Sequence, residues 1–94
     1  MSFHYVYLAR TRAGTYYSGY ALDPRRRIAQ HNAGRGAKSL LGARPVRLAY
    51  LRRFLTKSDA LRYEFALKRR THGFKIALSQ RWLARKGTRR WTIA

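Results

Sequence analysis

The chain has 94 residues and a mass of 11.0 kDa, enough for one domain with one modest hydrophobic core. It carries 22 Lys and Arg against 3 Asp and Glu, a net charge of +19, but its hydrophobic fraction of 46% excludes a disordered polycation. The absence of cysteine excludes a disulfide scaffold, a zinc ribbon and a thiol nucleophile. No apolar run approaches the roughly 20 residues of a membrane span, and the first five residues do not resemble a signal peptide, which predicts a soluble cytoplasmic protein.

The chain begins with the pattern of a β-hairpin. Phe3–Leu8 is rich in aromatic and branched residues, which is typical of a strand. Arg12–Gly14 predicts a turn, and Thr15–Tyr20 predicts the returning strand.

A helix is expected next. Asp23 is a typical N-cap and Pro24 a typical first helical residue. We expect this helix to continue through Asn32 and to stop at the glycines of a flexible basic loop, Gly34–Ser39. Pro45–Leu51 then predicts a third strand with a partly two-faced pattern.

Two helices are predicted after the third strand. Thr56 and Asp59 fit a capping box, and the helix that they begin runs to about Arg70. Its predicted apolar stripe contains Ala60, Leu61, Glu64, Phe65 and Lys68. A shorter helix is predicted from Phe74 to Leu83, with Phe74, Ala77, Leu78 and Trp82 on one face. The order ββ-α-β-α-α predicts an α/β sandwich over residues 1–83, followed by a basic tail at 84–94.

The charge predicts a polyanionic partner. Nucleic acid is the commonest polyanion in a cell, and an anionic membrane surface is the alternative. Because the basic residues are spread through all segments and not gathered in one amphipathic helix, nucleic acid is favoured. The basic residues that we expect to contact it are Arg26, Arg35, Lys38, Arg44 and Lys68.

Glu64 is the only glutamate in the chain. Asp23 and Asp59 are explained as residues at helix starts, which leaves Glu64 as the one acid without a structural explanation. A carboxylate in an apolar stripe needs a partner, because burying a bare charge is costly. Two interpretations stay open: an ion pair with Lys68 four residues on, or a ligand for Mg²⁺, which often binds through one carboxylate, water and phosphate oxygens.

Two further pairs could carry chemistry. Arg27 and His31 lie four residues apart on one helix face, where they could stabilise phosphate charge and transfer a proton; a solvated arginine and a histidine at the helix C-terminus would look the same. Tyr7 and Tyr17 could share one face of the hairpin and hold a water, or deprotonate it if the site lowers their pKa. Ordinary packing of aromatic residues in strands is the alternative.

Taken together, these residues resemble the GIY-YIG endonucleases. Tyr5-Val6-Tyr7 stands where the family has its first element, and Tyr17-Ser18-Gly19 stands where it has the second. Arg27–Asn32 matches the family's arginine-to-histidine run. The basic loop Gly34–Lys38 and the segment Ser58–Glu64 resemble the short single-domain bacterial branch. The similarity extends from about Phe3 to Leu83, and Tyr5 and Ser18 depart from the family pattern.

The resemblance implies a three-stranded antiparallel sheet flanked by helices, and metal-dependent hydrolysis of phosphodiester bonds. It implies a role for Tyr7 as general base or water-positioning residue, with Tyr17 in support. Arg27 would stabilise the phosphorane charge, and His31 would assist proton transfer or hold the phosphate. Glu64 would bind Mg²⁺ or Mn²⁺.

Two functional hypotheses follow. The first is an endonuclease acting on DNA, structure-selective or weakly sequence-specific, in repair or recombination and without a small-molecule cofactor. The second is a non-catalytic basic module that binds DNA or RNA.

Overall fold

The computed structural model describes residues 2–85, and it confirms the order ββ-α-β-α-α. The described elements are β1 (His4–Arg10), β2 (Tyr16–Ala21), α1 (Pro24–Asn32), a 3₁₀ helix (Lys38–Ala43), β3 (Arg47–Phe54), α2 (Lys57–Lys68) and α3 (His72–Arg85). The predicted loop at 34–39 thus ends in the 3₁₀ helix. Residues 86–94, most of the predicted tail, lie outside the described part.

The three strands form one antiparallel sheet in the order β2-β1-β3, as expected. β1 is the central strand, so that Tyr7 pairs with Gly19 on β2 and with Leu51 on β3. An irregularity in the β1–β3 register falls between Leu8 and Ala9. The two-faced pattern predicted for β3 fails there, because three successive residues, Leu48, Ala49 and Tyr50, are buried.

Local sequence signals determine the helix ends as predicted. The Asp23 side chain accepts a hydrogen bond from the Arg26 backbone N–H, and Thr56 accepts one from Asp59. α1 ends in a Schellman motif, in which Gly34 adopts a φ of +82° and the N–H of Arg35 reaches the carbonyl of Gln30. This motif turns the chain back over the end of α1.

Two hydrophobic clusters lie against the sheet. The first joins the sheet to α1 and the 3₁₀ helix through Ile28 and Leu40, and it includes Tyr7. The second joins the sheet to α2 through Ala60 and Leu67, and Phe74 and Leu78 of α3 pack against it. Helices therefore flank the sheet, as the sequence predicted.

The stripe predicted for α2 is wrong, because it is rotated about the helix axis relative to the face that is buried. Leu61, Phe65 and Lys68 are exposed, Phe65 to 64%. The inward face consists instead of Ala60, Tyr63, Glu64 and Leu67, which follow the i, i+3, i+4, i+7 spacing of a helix. Apolar residues surround this helix on several sides, so their pattern alone does not fix which side faces the core.

The bounds of several elements also differ from the prediction, most clearly those of α3 and β3. α3 begins at His72 and ends at Arg85, and its predicted inward residue Ala77 is exposed while Ser79 and Leu83 are buried. β3 begins and ends later than predicted. β3 begins later because the backbone N–H and carbonyl of Val46 bond to the Asn32 side chain.

Candidate active site

Tyr7 lies at the centre of the sheet and is completely buried. Its cross-strand partner is Gly19. A Cβ atom on Gly19 would come within 2.5 Å of the phenol oxygen of Tyr7, so the ring occupies the space that a side chain on Gly19 would need. The glycine therefore provides the room that lets this phenol lie flat across the neighbouring strand.

His31 holds the hydroxyl of Tyr7. Its Nε2 lies 2.9 Å from the Tyr7 oxygen, and its Nδ1 accepts a hydrogen bond of 3.1 Å from the backbone N–H of Ala37. Because Nδ1 is an acceptor, the proton of the neutral imidazole is on Nε2, and Nε2–H donates to Tyr7. Both ring nitrogens are thus engaged within the protein, and the side chain is only 2% exposed.

Gly36 completes the pocket for the imidazole. A Cβ atom at this position would overlap the His31 ring, so the backbone of the loop passes directly against it. The Schellman turn at Gly34 brings the loop back to this point. The tautomer of His31 therefore depends on a loop that starts after its own helix has ended.

Asn32 fixes the end of α1 to the start of β3. Its side-chain amide donates to the carbonyl of Val46 at 2.9 Å, and its Oδ1 accepts from the Val46 N–H at 2.7 Å. The Asn32 amide thereby satisfies both backbone polar groups of the buried Val46, as a neighbouring strand would in a sheet. The same two hydrogen bonds also hold in place His31, which precedes Asn32 in the chain.

Tyr17 joins Tyr7 and His31 on the same face of the sheet. It pairs with Ala9, diagonal to Tyr7, and its ring centroid lies 6.3 Å from that of Tyr7 and 5.5 Å from that of His31. Tyr16 packs against the second hydrophobic cluster instead. Of the two adjacent tyrosines, Tyr17 is the one that meets Tyr7, as we expected.

Arg27 and Glu64 act on this cluster through their charges. Burial raises the pKa of Tyr7 above its usual range; the nearby Tyr17 and Glu64 also raise it, and Arg27 opposes them. The condition that the site lowers the pKa of Tyr7 is therefore not met in the protein alone, because desolvation outweighs the lowering effect of Arg27. Burial and the charge of Arg27 lower the pKa of His31, which favours its neutral form.

Glu64 forms an ion pair with Lys68, whose Nζ lies 3.2 Å from a carboxylate oxygen. The Glu64 side chain is 15% exposed and that of Lys68 is 55% exposed. No group of three or more acidic or histidine side chains suited to a metal occurs within residues 2–85. One carboxylate that is partly exposed still fits Mg²⁺ or Mn²⁺, because such ions often take most of their ligands from water and phosphate.

All five nucleic-acid contacts predicted from the sequence lie at exposed positions; they are Arg26, Arg35, Lys38, Arg44 and Lys68. The side chains of two of them have polar contacts within the described part of the chain. Lys68 pairs with Glu64, and the Nε of Arg44 donates to the carbonyl of Leu41 at 2.8 Å.

Sequence reasoning missed three residues that shape the site: Asn32, Gly36 and Ala37. The sequence predicts Gly36 as a helix stop within a flexible basic loop, without a contact to His31. Ala37 contributes through its backbone, which no sequence pattern marks. A signal for Gly36 was the presence of a second glycine where Gly34 alone suffices to end the helix.

The three-stranded antiparallel sheet and its flanking helices are the fold that the resemblance to the GIY-YIG family implies. The sequence profile of the GIY-YIG catalytic domain matches residues 3–76, and the chain belongs to the GIY-YIG family. This confirms the family resemblance seen in the sequence. Enzymes of this family generally use divalent metals.

The relatives are UPF0213 proteins, short single-domain members of the family. The chain is 45% identical over 75 residues to a UPF0213 protein of Halobacterium salinarum, covering 80% of this chain and 97% of the relative. It is 42% identical over 78 residues to one from Staphylococcus saprophyticus, covering 83% and 95%. These names state no specific activity.

Two solved structures resemble the fold. The solution NMR structure of the UPF0213 protein from Bacillus halodurans matches with a TM-score of 0.53 and 37% identity, over 83% of each chain. A solution NMR structure of a protein from E. faecalis matches with a TM-score of 0.56 and 33% identity, over 96% of each chain. Within residues 2–85, no helix has the length and apolar character needed to cross a membrane.

Proposed function

We propose that the protein is a metal-dependent endonuclease that hydrolyses phosphodiester bonds in DNA. The observation that carries this proposal is the fixed hydrogen bond between His31 and Tyr7, in a cluster whose electrostatics include Arg27 and Glu64. A phenol held in this way beside a cation and a carboxylate offers the groups that phosphodiester hydrolysis needs.

Glu64 is the residue that would hold the divalent cation, which when bound would polarise the phosphate and the attacking water. In the structure, the Nζ of Lys68 forms an ion pair with this carboxylate. The sequence left an ion pair and a metal ligand as alternatives for Glu64, and the observed ion pair is compatible with both, because an exposed lysine can move away at little cost.

Tyr7 would orient the attacking water. Its raised pKa keeps the phenol protonated in the free protein, and the Nε2–H of His31 fixes the position of its oxygen. If the phenol gives up its proton in the substrate complex, the same hydrogen bond stabilises the phenolate. We therefore assign His31 a positioning role, because neither of its ring nitrogens is free to contact a phosphate.

Arg27 would stabilise the charge that develops on the phosphate. It is exposed, and its charge already reaches both Tyr7 and His31. Tyr17, half-buried against both rings, would support Tyr7 and border the phosphate. The exposed residues Arg26, Arg35, Lys38 and Arg44 would hold the DNA backbone through its charge.

The test is a cleavage assay with Mg²⁺ and with Mn²⁺ on branched, flapped, single-stranded and plain duplex DNA. We expect the wild type to cut at least one of these substrates and Glu64→Ala to lose the activity while keeping its circular dichroism spectrum. The matched control is Asp59→Ala, which removes an exposed acid from the same helix and should leave cleavage intact. Equal cleavage by Glu64→Ala and the wild type would contradict the metal assignment.

The second candidate function is a non-catalytic module that binds DNA or RNA. The Glu64–Lys68 ion pair favours it, because a carboxylate paired in this way needs no metal. It predicts salt-sensitive binding of nucleic acid with no cleavage under any divalent cation. A cytoplasmic location and a role in repair or recombination remain predictions for the nuclease.

A further inference from the structure

A cleft of about 830 Å³ lies between β3, α2 and α3, and three aromatic residues, Tyr50, Tyr63 and Phe74, line it. It lies on the side of the second hydrophobic cluster, whereas Tyr7 belongs to the first cluster. Its volume falls in the range of small-molecule sites. We call it the α2/α3 cleft.

The aromatic surface of the cleft is held rigidly. The hydroxyls of Tyr50 and Tyr63 are hydrogen-bonded at 2.8 Å. The guanidinium of Arg52 lies 4.9 Å from the centroid of the Tyr63 ring, and that of Arg70 lies 4.0 Å from the centroid of the Phe74 ring. These two cation–π contacts hold the Tyr63 and Phe74 rings in place.

The charged lining of the cleft is entirely positive. Arg52, Arg81 and Arg85 contribute to its walls, and no acidic residue of the described part of the chain does. The three acids of the chain are all engaged elsewhere: Asp23 caps α1, Asp59 pairs with Arg62 and Glu64 pairs with Lys68. Among residues 2–85, the three arginines therefore have no carboxylate partner, and an anion is the ligand that their charge selects.

We propose that the α2/α3 cleft binds an unpaired nucleotide of a nucleic-acid strand, with its base against the aromatic residues and its phosphates on the arginines. Aromatic rings and arginines combined in one groove bind single strands in this way. A base within a duplex is stacked between its neighbours and cannot enter the cleft, so the nucleotide must be unpaired.

The cleft adjoins the helix that carries Glu64. Tyr63 and Glu64 are consecutive residues of α2, so their side chains leave the helix on neighbouring sides. A strand held in the cleft would run beside this helix. The inference rests on the proposed function only in taking nucleic acid as the ligand, and it does not require that the protein cleaves.

The test is a comparison of two single strands of equal length, a fluorescein-labelled oligothymidylate and an abasic strand. Both carry the same phosphates, so a difference in affinity measures the contribution of the bases. Fluorescence anisotropy of the full chain in EDTA and at constant salt measures binding alone, whereas the divalent-ion assay above tests cleavage. We expect the wild type to bind the thymidylate about tenfold more tightly than the abasic strand.

Variants of cleft residues show whether the preference for the thymidylate over the abasic strand arises in the cleft. Tyr63→Leu should bring the affinity ratio of the two strands close to one, whereas Tyr63→Phe, which keeps the ring, should retain most of it. Ala84→Phe is a second variant, because Ala84 is an exposed residue of the cleft wall and its enlargement fills the cleft without removing a core contact. Arg12→Gln changes an exposed arginine at the β1–β2 turn and should lower both affinities alike.

The proposal is overturned if the wild type binds both strands equally, or if Tyr63→Leu and Ala84→Phe are both folded by circular dichroism and keep the wild-type ratio. It is also overturned if polyglutamate of equal charge displaces the thymidylate as well as an unlabelled strand does. That result would assign the cleft to acidic polypeptides.

Discussion

The phenol of Tyr7 fills the place where its cross-strand partner Gly19 would carry a side chain, since a Cβ there would lie 2.5 Å from the phenol oxygen. The ring is fully buried and has little space into which it can shift. Gly19→Ala should therefore move the Tyr7 hydroxyl away from His31. We expect a loss of cleavage rate of about tenfold or more, and destabilisation of about 1–3 kcal/mol from overpacking.

Single-turnover cleavage and urea denaturation measure the two effects of Gly19→Ala. Gly42→Ala is the matched control, because a Cβ at Gly42 would meet no atom within 4 Å. The explanation fails if Gly19→Ala cleaves at the wild-type rate, or if both glycine variants lose activity equally.

Substitution of Gly36 should reduce cleavage as much as substitution of Gly19, although Gly36 lies in a loop. A methyl group at this position would overlap the His31 ring and break the hydrogen bond from the Ala37 N–H to Nδ1. Gly36→Ala should remove the hydrogen bond that keeps the His31 proton on Nε2. The cleavage rate should fall about tenfold. Nuclear magnetic resonance of the imidazole nitrogens shows the tautomer directly, and an unchanged Nε2–H form would rule out this explanation.

Gly73→Ala is the control for Gly36→Ala. Gly73 lies near the start of α3, and a Cβ there would meet no atom within 4 Å. Alanine is the better helix former, so this change should leave cleavage intact and stabilise the fold by up to about 1 kcal/mol.

The stability of the fold should depend on pH through His31. Burial and Arg27 hold the pKa of His31 below its usual value, and protonation would turn Nδ1 from an acceptor into a second donor facing the Ala37 N–H. The stabilisation is complete above the unfolded pKa of about 6.5 and is lost as the pH falls through the lower folded pKa. Urea denaturation of the wild type should therefore show decreasing stability below about pH 6.5.

His31→Gln is the comparison for this pH effect, because glutamine does not titrate. Its free energy of unfolding should be lower at neutral pH but should change less between neutral and mildly acidic pH. Parallel pH profiles for the two proteins would show that another group is responsible.

Lys68 competes with a cation for Glu64. Lys68→Gln removes the ion pair, which is 55% exposed on the lysine side and contributes at most about 1 kcal/mol to stability. We expect the variant to reach half-maximal cleavage at a several-fold lower Mg²⁺ concentration, since the carboxylate is no longer neutralised. A higher Mg²⁺ requirement would contradict this, and Arg62→Gln, on the same helix, controls for the general loss of positive charge.

The features that the sequence predicted correctly are those determined by residues close together in the chain. The hairpin turn, the caps at Asp23 and Thr56 and the end of α1 at Gly34 each depend on a few neighbouring residues. The shared face of Tyr7 and Tyr17 follows from a short hairpin in the same way.

The features that sequence reasoning missed depend on contacts between distant segments. The register of β3 is shifted by the irregularity at Leu8 and Ala9, and its start is fixed by the Asn32 side chain. The inward face of α2 is selected by the sheet, because apolar residues occur on several sides of the helix. The direction of the Tyr7 pKa shift depends on burial, which the charge of the chain does not reveal.

The Schellman turn after α1 also restricts the number of residues in the loop that follows the helix. Surface loops usually accept insertions and deletions, but the segment from Asn32 to Ala37 has to return to His31 with the Ala37 N–H in bonding position. One residue more or fewer would put a different N–H opposite Nδ1 or move Gly36 off the ring. In this protein, the number of residues between His31 and Ala37 is therefore as constrained as the identity of His31 itself.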